Sequence, residues 1–486
     1  MRVTVVKVVL EAQGETKQME AVKVKTYKRR GIPNGVFRAY DVRGVIGSEL
    51  DEHAFYMIAQ AIAYELHTLD RTGICLARDG RLSSPELTRA LKQGLLDSGI
   101  DVFDLGEVST PVMYYATHTS GIDSGLMVTG SHNPGDYNGI KMVLAGKTLV
   151  AEDIQALYQR ILDEKIISGT GKDMSLTVLD GYIQRIVSDI TLARPMRVVV
   201  DCGNGVAGPI IPNVLRQLGC TVFELYCDVD GHFPNHHPDP TVEENLADLQ
   251  TAVALHKADL GLAFDGDADR LGVVTDQGDI IWPDRLMMLF AQQILEVEPG
   301  ATIVYDVKCS SHLAHVIQAS GGVANMCPTG HSIVKRVMKN TEAALAGEMS
   351  GHIFFKNRWY GFDDALYSAA RLLEIVSASK QSVSEIFDAI PNSVNTPEIK
   401  IPIYDARKFD FMKRFTSEAV FPDAALIVID GVRVEYPHGW GLLRASNTTP
   451  CLVARFEAES DASLSEIQAL FKTQLQAMDD DLVIPF

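Results

Sequence analysis

The strongest constraint on this chain is that it repeats itself. Three times an apolar, β-branched run ends in a polar turn and then enters a helical pattern. The first is Gly73-Ile-Cys-Leu-Ala-Arg-Asp-Gly-Arg81, leading into Pro85-Glu-Leu-Thr-Arg-Ala-Leu91. The second is Arg197-Val-Val-Val-Asp-Cys-Gly-Asn-Gly205, leading into Ile211-Pro-Asn-Val-Leu215. The third is Thr302-Ile-Val-Tyr-Asp-Val-Lys-Cys-Ser-Ser311, leading into His312-Leu-Ala-His-Val-Ile317. Each is followed by two further strand-like runs. Strands alternating with helices of this length predict βαβ units and mostly parallel sheet.

The third run of each repeat ends in a dense polar motif. These are Thr129-Gly-Ser-His-Asn-Pro134, Asp265-Gly-Asp-Ala-Asp-Arg270 and Gly347-Glu-Met-Ser-Gly-His352. Ligands of open α/β sheets gather outside the carboxyl ends of the strands. Three equivalent strand ends with three different motifs therefore predict one cleft shared by three similar domains. Past residue 392 the pattern turns strand-rich. Glu398–Ile403, Ala425–Val434 and Cys451–Ala458 read as strands and Ser463–Met478 as a helix. That is a smaller α+β domain, with Arg444-Ala-Ser-Asn-Thr-Thr-Pro450 on a loop. At about 150 residues per domain, 486 residues accommodate three or four. The expected division is an N-terminal arm over 1–32, then domains over 33–176, 177–279, 280–391 and 392–486. The arm is marked by the basic stretch Lys23–Arg30 and the breakers Gly31, Pro33 and Gly35.

Composition removes whole classes of function. Hydrophobic residues at 46% and charged residues at 22% exclude a largely disordered chain. Lys plus Arg is 44 and Asp plus Glu is 63, so the formal charge is −19. That balance argues against nucleic acid and anionic membrane surfaces as partners. No apolar run reaches the roughly 18 residues that span a bilayer. Lys7 interrupts the apolar start and no cleavage site follows, so no signal peptide is expected. The seven cysteines are irregularly spaced without a CxxC pair, which fits reduced thiols and a cytoplasmic protein.

The motifs carry chemistry. Asp265, Asp267 and Asp269 alternate, so in an extended segment they share one side. Three hard oxygen ligands suit Mg²⁺. An EF-hand does not fit, because Arg270 stands where that loop needs glycine. A DxDGT phosphatase does not fit either, because the Gly-Thr is missing. Ser131 sits on a tight turn, beside His132 and Asn133, with Lys141 ten residues on. A serine nucleophile needs a base, a metal or a preformed field, and His132 and Asn133 could donate to a bound phosphate. Glu348 and Ser350 could grip sugar hydroxyls, and His352 could serve acid–base work. Arg444 with the hydroxyls and amide of its loop suits a phosphate dianion. Each motif alone could be an ordinary polar turn; together they outweigh that reading. Two features are discounted. His232-Phe-Pro-Asn-His-His-Pro-Asp-Pro240 lacks metal-ligand spacing and reads as an ordered loop. Gly203–Gly208 has the wrong glycine spacing for a dinucleotide site.

Taken in order, these motifs resemble the α-D-phosphohexomutase superfamily, most closely its bacterial phosphomannomutase/phosphoglucomutase group. The resemblance runs from Phe37-Arg-Ala-Tyr-Asp-Val-Arg-Gly44 to the end of the chain. It implies three related α/β domains with mixed, mostly parallel sheets, plus a C-terminal α+β domain of the TATA-box-binding-protein-like kind, around a central cleft. It implies reversible transfer of phosphate between the 1- and 6-positions of mannose and glucose phosphates, through phosphoserine and a hexose 1,6-bisphosphate. Ser131 is then the phosphoserine. Asp265, Asp267 and Asp269 hold Mg²⁺, with an oxygen on Ser131 as a further ligand. Glu348 and Ser350, with Met349, Gly351 and His352 beside them, correspond to the sugar-recognition turn. Arg444, Ala445, Ser446, Asn447 and Thr448 correspond to the clamp for the phosphate that is not reacting. Tyr40, Arg43 and Arg270 correspond to cleft residues near the transferred phosphate, and Lys308, Gly330 and His331 to substrate contacts. His132, Lys141 and His352 complete the catalytic set, with Lys141 and His352 as alternative proton carriers. Pro328 departs from the pattern, where a basic residue is expected. The expected state is a monomer. Phosphoglucosamine mutase is the alternative within the superfamily, and Met349 favours the mannose/glucose group over it. A phosphoserine-forming sugar phosphatase leaves the Arg444 loop unexplained, and a non-catalytic sugar-phosphate binder does not need every motif residue.

Overall fold

The computed structural model describes residues 31–447 and 449–486. The arm expected over 1–32 falls almost wholly outside them, as does Thr448.

The described chain forms four sheets. The first three share one plan. In the first, the strand Gly73–Arg78 lies between Asp101–Glu107 and Gly125–Val128, parallel to both. In the second, Arg197–Asp201 lies between Thr221–Leu225 and Leu260–Phe264, again parallel to both. In the third, Thr302–Asp306 lies between Val323–Cys327 and Leu345–Gly347 in the same way. Each third strand then turns back into an antiparallel fourth: Tyr137–Leu144, Leu271–Thr275 and Ile353–Phe355. The three polar motifs occupy these three turns, so each is gripped by the ladder on both sides.

Local chemistry explains the elements. The central strands read as continuous β-branched runs because both faces are covered: Val198, Val199 and Val200 are all buried. Pro85 opens the helix Ser84–Leu96, where its missing N–H is no loss. The Ser310 hydroxyl accepts from His312 N and caps Ser311–Ala319.

One core runs without interruption through the second and third sheets. It takes in the helix Thr110–Thr119 of the first unit and the largely buried helix Ala365–Ala378. A second core lies under the helices Glu52–Thr68 and Ser84–Leu96. The C-terminal unit is an antiparallel sheet with helices Asp405–Glu418 and Asp461–Met478 packed on it over its own core. A small seam joins it to the third unit: Val307, Trp440 and Leu442 pack together, and Arg433 stacks 3.8 Å over Trp440 while donating to the carbonyls of Val307 and Cys309 at 2.7 Å.

The run 425–434 differs from expectation. It is a hairpin of Ala425–Ile427 and Val432–Tyr436, with Leu426 opposite Val434. Gly431 has φ +74°, and a Cβ there would stand 2.2 Å from Leu443 O, so Asp430-Gly431 turns the chain where the apolar pattern alone suggested continuity. No helix among the described residues is long and apolar enough to cross a membrane.

Phe471 lies at the centre of the C-terminal core, against Phe415, Phe421 and Phe456. Phe471→Ala should destabilise that unit by about 3–5 kcal/mol, seen as an earlier C-terminal transition in denaturant.

Candidate active site

Ser131 stands in the turn of the first sheet with φ +51°, a left-handed conformation that serine rarely adopts. Its N–H donates to Thr129 Oγ1 at 2.8 Å, and its hydroxyl donates to Asp265 Oδ2 at 3.0 Å, in the turn of the second sheet. His132 Nδ1 is 3.3 Å from the same hydroxyl. Burial pushes the His132 ring well below its ordinary pKa, and the charges of Arg270 and Arg43 push it further. Arg43 pairs with Asp41 and donates to Asn133 Oδ1 and Gly130 O.

A residue not singled out in the sequence holds this turn from beneath. The buried Arg81 donates to the carbonyls of Ser131 (2.7 Å), Asn133 (2.5 Å), Pro134 (2.6 Å) and Tyr137 (3.1 Å). Asp79 lies 3.2 Å from its Nε and accepts from Gly130 N. Gly130 must be glycine, because a Cβ would stand 2.4 Å from Arg81 Cζ.

The second turn buries Asp265, Asp267 and Asp269, with ligand oxygens all within 4.8 Å of one another. Asp265 Oδ1 accepts from Asp269 N and Arg270 N, which closes the turn tightly. Asp267 Oδ2 accepts from Thr110 Oγ1 at 2.5 Å and from Lys141 Nζ at 2.7 Å, and Lys141 also pairs with Asp269. Burial raises the Asp265 carboxyl, and its two anionic neighbours raise it further. Burial opposes ionisation of Asp267 too, but Lys141 outweighs it and holds that carboxyl below the usual range. Asp267 Oδ1 and Asp269 Oδ1 are buried with no hydrogen-bond partner. Orphaned carboxylate oxygens in such a place are costly unless a cation takes them. The donor set therefore fits a hard divalent metal.

The third turn reaches the same point. Glu348 is buried, and its Oε1 accepts from Gly330 N at 2.6 Å. Met349 N donates to Asp306 Oδ1, and Ser350 is half-buried. Gly351 ends the turn, its carbonyl accepting from Leu271 N in the second sheet. Arg270 and His352 form an isolated antiparallel bridge, and Arg270 Nε donates to His352 Nε2 at 3.1 Å. His331 is buried with neither ring nitrogen hydrogen-bonded. Tyr40 of the first unit lies edge-on to its ring at 5.4 Å. Burial raises the Tyr40 phenol, Asp41 adds to this, and Arg444 pulls the other way.

Arg444 and Ala445 end the strand Gly439–Ala445. Arg444 Nε donates to Asp430 Oδ2 at 2.9 Å, and Asp430 also accepts from Thr329 N, beside Pro328. Ser446 Oγ lies 2.8 Å from Thr449 Oγ1, and Asn447 is half-buried next to them. Lys308 Nζ donates to Glu398 Oε1 at 2.6 Å, so it bridges the third and C-terminal units. Of the discounted features, His236 Nε2 lies 2.9 Å from Asp201 Oδ2, and Val206 of the glycine-rich loop donates to Gly266 O, bracing the acidic turn.

The sequence did hold a signal for the missed supports. The first strand of each repeat closes on an aspartate, Asp79, Asp201 or Asp306, and all three are buried. Asp79 and Asp306 each take a backbone N–H of their own repeat's motif turn. Arg81→Lys removes the planar fork and should leave several carbonyls unsatisfied. We expect kcat to fall by about a hundredfold with KM changed far less, measured by steady-state kinetics of sugar-phosphate turnover.

Comparison with known proteins agrees with this architecture. Models of the phosphoglucomutase/phosphomannomutase family match in series: α/β/α domain I over 34–166, domain II over 180–278, domain III over 282–394 and the C-terminal domain over 398–474. The phosphomannomutase/phosphoglucomutase of Pseudomonas aeruginosa is 51% identical over 95% of this chain and 100% of its own length. A phosphoglucomutase of Neisseria gonorrhoeae is 49% identical over 92% of this chain and 98% of its own. A crystal structure of a phosphoglucomutase/phosphomannomutase family protein from Burkholderia thailandensis, 49% identical, superposes with a TM-score of 0.88 over 94% of this chain and 100% of that one. The chain belongs to the phosphoglucomutase/phosphomannomutase family of the α-D-phosphohexomutase superfamily.

Proposed function

We propose that this chain interconverts the 1- and 6-phosphates of mannose and glucose. The observation that carries the reading is the Ser131 hydroxyl 3.0 Å from a buried carboxylate whose two companions keep orphaned oxygens. A nucleophile and a metal-ligand set from two different repeats meet there.

Ser131 carries the phosphoryl group between turnovers. A free sugar hydroxyl attacks it, so an O–P bond forms on the sugar as the Ser131 Oγ–P bond breaks. The product of that step is a hexose 1,6-bisphosphate. The sugar turns end for end, and its other phosphate returns to Ser131. Mg²⁺, held by Asp265, Asp267 and Asp269, would supply neutralisation of charge on the transferring group. Arg43 and Arg270 face the same group, and His132, kept neutral by burial, adds a hydrogen bond. Glu348 and Ser350, with Met349 and Gly351, orient the ring hydroxyls. Arg444, Ala445, Ser446, Asn447 and Thr448 take the phosphate that is not reacting, with Tyr40, Lys308, Gly330 and His331 around the sugar. The proton of the attacking hydroxyl is carried by Lys141 or His352. The clamp must accept either end of the sugar, which explains its place on a separately packed unit.

The test is turnover of mannose 1-phosphate, glucose 1-phosphate and glucosamine 1-phosphate side by side, with Mg²⁺ and a trace of the matching bisphosphate. Fast conversion of the first two supports the reading. A preference for the amino sugar would move the chain to phosphoglucosamine mutase, and free phosphate without isomer would make it a phosphatase. Ser131→Ala should lower turnover by on the order of a thousandfold or more. Chelation of divalent ions should abolish activity, and added Mg²⁺ should restore it.

A further inference from the structure

We propose that Asp430 is a positioning residue: it sets the Arg444 guanidinium for a phosphate and ties that clamp to the loop and turn that face the sugar. The proposal rests on the sugar-phosphate reading above, and it places no proton and no bond-making step on Asp430.

One carboxylate oxygen makes both ties. Asp430 Oδ2 accepts from Arg444 Nε at 2.9 Å, within the C-terminal unit, and from Thr329 N at 3.0 Å, across in the third unit. A phosphate is gripped best by a pair of guanidinium nitrogens, and a tie through Nε fixes the plane of the group without using the two terminal ones. Arg444 is buried, and Asp430 is the anion that most offsets the burial of its charge. Among the described residues, Arg444 is in turn the one cation that Asp430 pairs with. The backbone keeps them together. Asp430 stands at the turn of a hairpin whose strand pairs Val432 with Leu443, the neighbour of Arg444.

The bond to Thr329 carries the tie onward. Thr329 Oγ1 donates to Asp306 Oδ2 at 3.0 Å, and Asp306 Oδ1 accepts from Met349 N at 3.1 Å. The next residue, Gly330, donates its N–H to Glu348 Oε1 at 2.6 Å. Arg444, Asp430, Thr329, Asp306 and Met349 thus form one unbroken chain from the C-terminal unit to the third motif turn. A second tie crosses the same way: Lys308 Nζ of the third unit donates to Glu398 Oε1 of the C-terminal unit at 2.6 Å. The phosphate in the clamp is not the one that reacts, so what Arg444 gives it is given equally before and during transfer. Losing the alignment of Arg444 should therefore weaken binding more than it slows turnover.

Asp430→Ala should raise KM for glucose 1-phosphate about tenfold, with kcat changed less than about threefold. Asp430→Asn keeps an oxygen for both N–H donors and should recover most of that loss. An unchanged KM in Asp430→Ala would overturn the proposal. A merely structural role is separated by a double-mutant cycle on the binding of glucose 6-phosphate, followed by titration calorimetry without turnover. If Asp430 acts through Arg444, Asp430→Ala should weaken binding about tenfold in the wild-type chain and less than about threefold in Arg444→Ala. Equal losses in the two backgrounds would overturn the proposal. If Asp430→Ala does not fold, the wild-type chain still decides: the Thr329 amide should exchange slowly with deuterated solvent, and exchange as fast as in an open loop would overturn the tie to the third unit. Binding that depends on Asp430 without any isomerisation would fault the function and keep the positioning role. Isomerisation untouched by Asp430→Ala would do the reverse.

Discussion

Four carboxylates, Asp265, Asp267, Asp269 and Asp363, are buried together where three sheets meet, and the surrounding structure is arranged to neutralise them. Lys141, Lys335 and Arg270 are the cations set among them. Three cations thus face four carboxylates. Buried charge is tolerable only when it is paired and hydrogen-bonded. The remaining deficit of positive charge suits a site that could hold a divalent ion. The ion pairs also explain why the units cannot drift apart freely. Lys141 comes from the first sheet and its partners from the second, and Arg270 of the second reaches His352 of the third.

This pairing divides the molecule into two mechanical parts. The first three units share ion pairs at the site and a continuous apolar core from the helix Thr110–Thr119 to Ile390. Their motif turns are therefore fixed relative to one another, as phosphoryl transfer over a few ångströms requires. The C-terminal unit has its own core and meets the third through polar contacts around the small cluster of Val307, Trp440 and Leu442. Arg455 reaches Asp284 Oδ2 at 3.3 Å and also holds Lys308 O, while Ser310 donates to Glu457. Arg433 and Arg455 together grip the carbonyls of Val307, Lys308 and Cys309, three in succession. The turn carrying Lys308 is thus set by the unit that bears Arg444.

Much of this was legible in the sequence because periodicity reports burial. The β-branched runs at 73, 197 and 302 became the central strands, and the three polar motifs became equivalent turns. What the sequence hid depends on contacts across long stretches of chain. Nothing local marks Arg81 as the support of a turn fifty residues later, since an arginine after a strand usually faces water. Nothing near Asp363 announces a histidine eleven residues back and a lysine twenty-eight back. The hairpin at Asp430-Gly431 was misread for the opposite reason: a strong apolar signal on both sides masked the four-residue turn over 428–431.

The repeat also explains how one backbone plan yields three chemistries. Each motif turn contains one residue with left-handed φ: Ser131 at +51°, Ala268 at +57° and Gly351 at +93°. Only the third turn uses glycine for it, so the other two hold a conformation that costs on the order of 1–3 kcal/mol unless the surroundings fix it. At Ala268 the fixing is local, through its N–H to Asp265 O. At Ser131 it is imported: Arg81 holds its carbonyl from below, Thr129 takes its N–H, and Asp265 takes its hydroxyl from the next repeat. A serine in an ordinary extended or helical conformation would satisfy its backbone locally and would not need Arg81. The strain is concentrated at Ser131, and the buried arginine beneath it is the structural cost of presenting that hydroxyl to the aspartates.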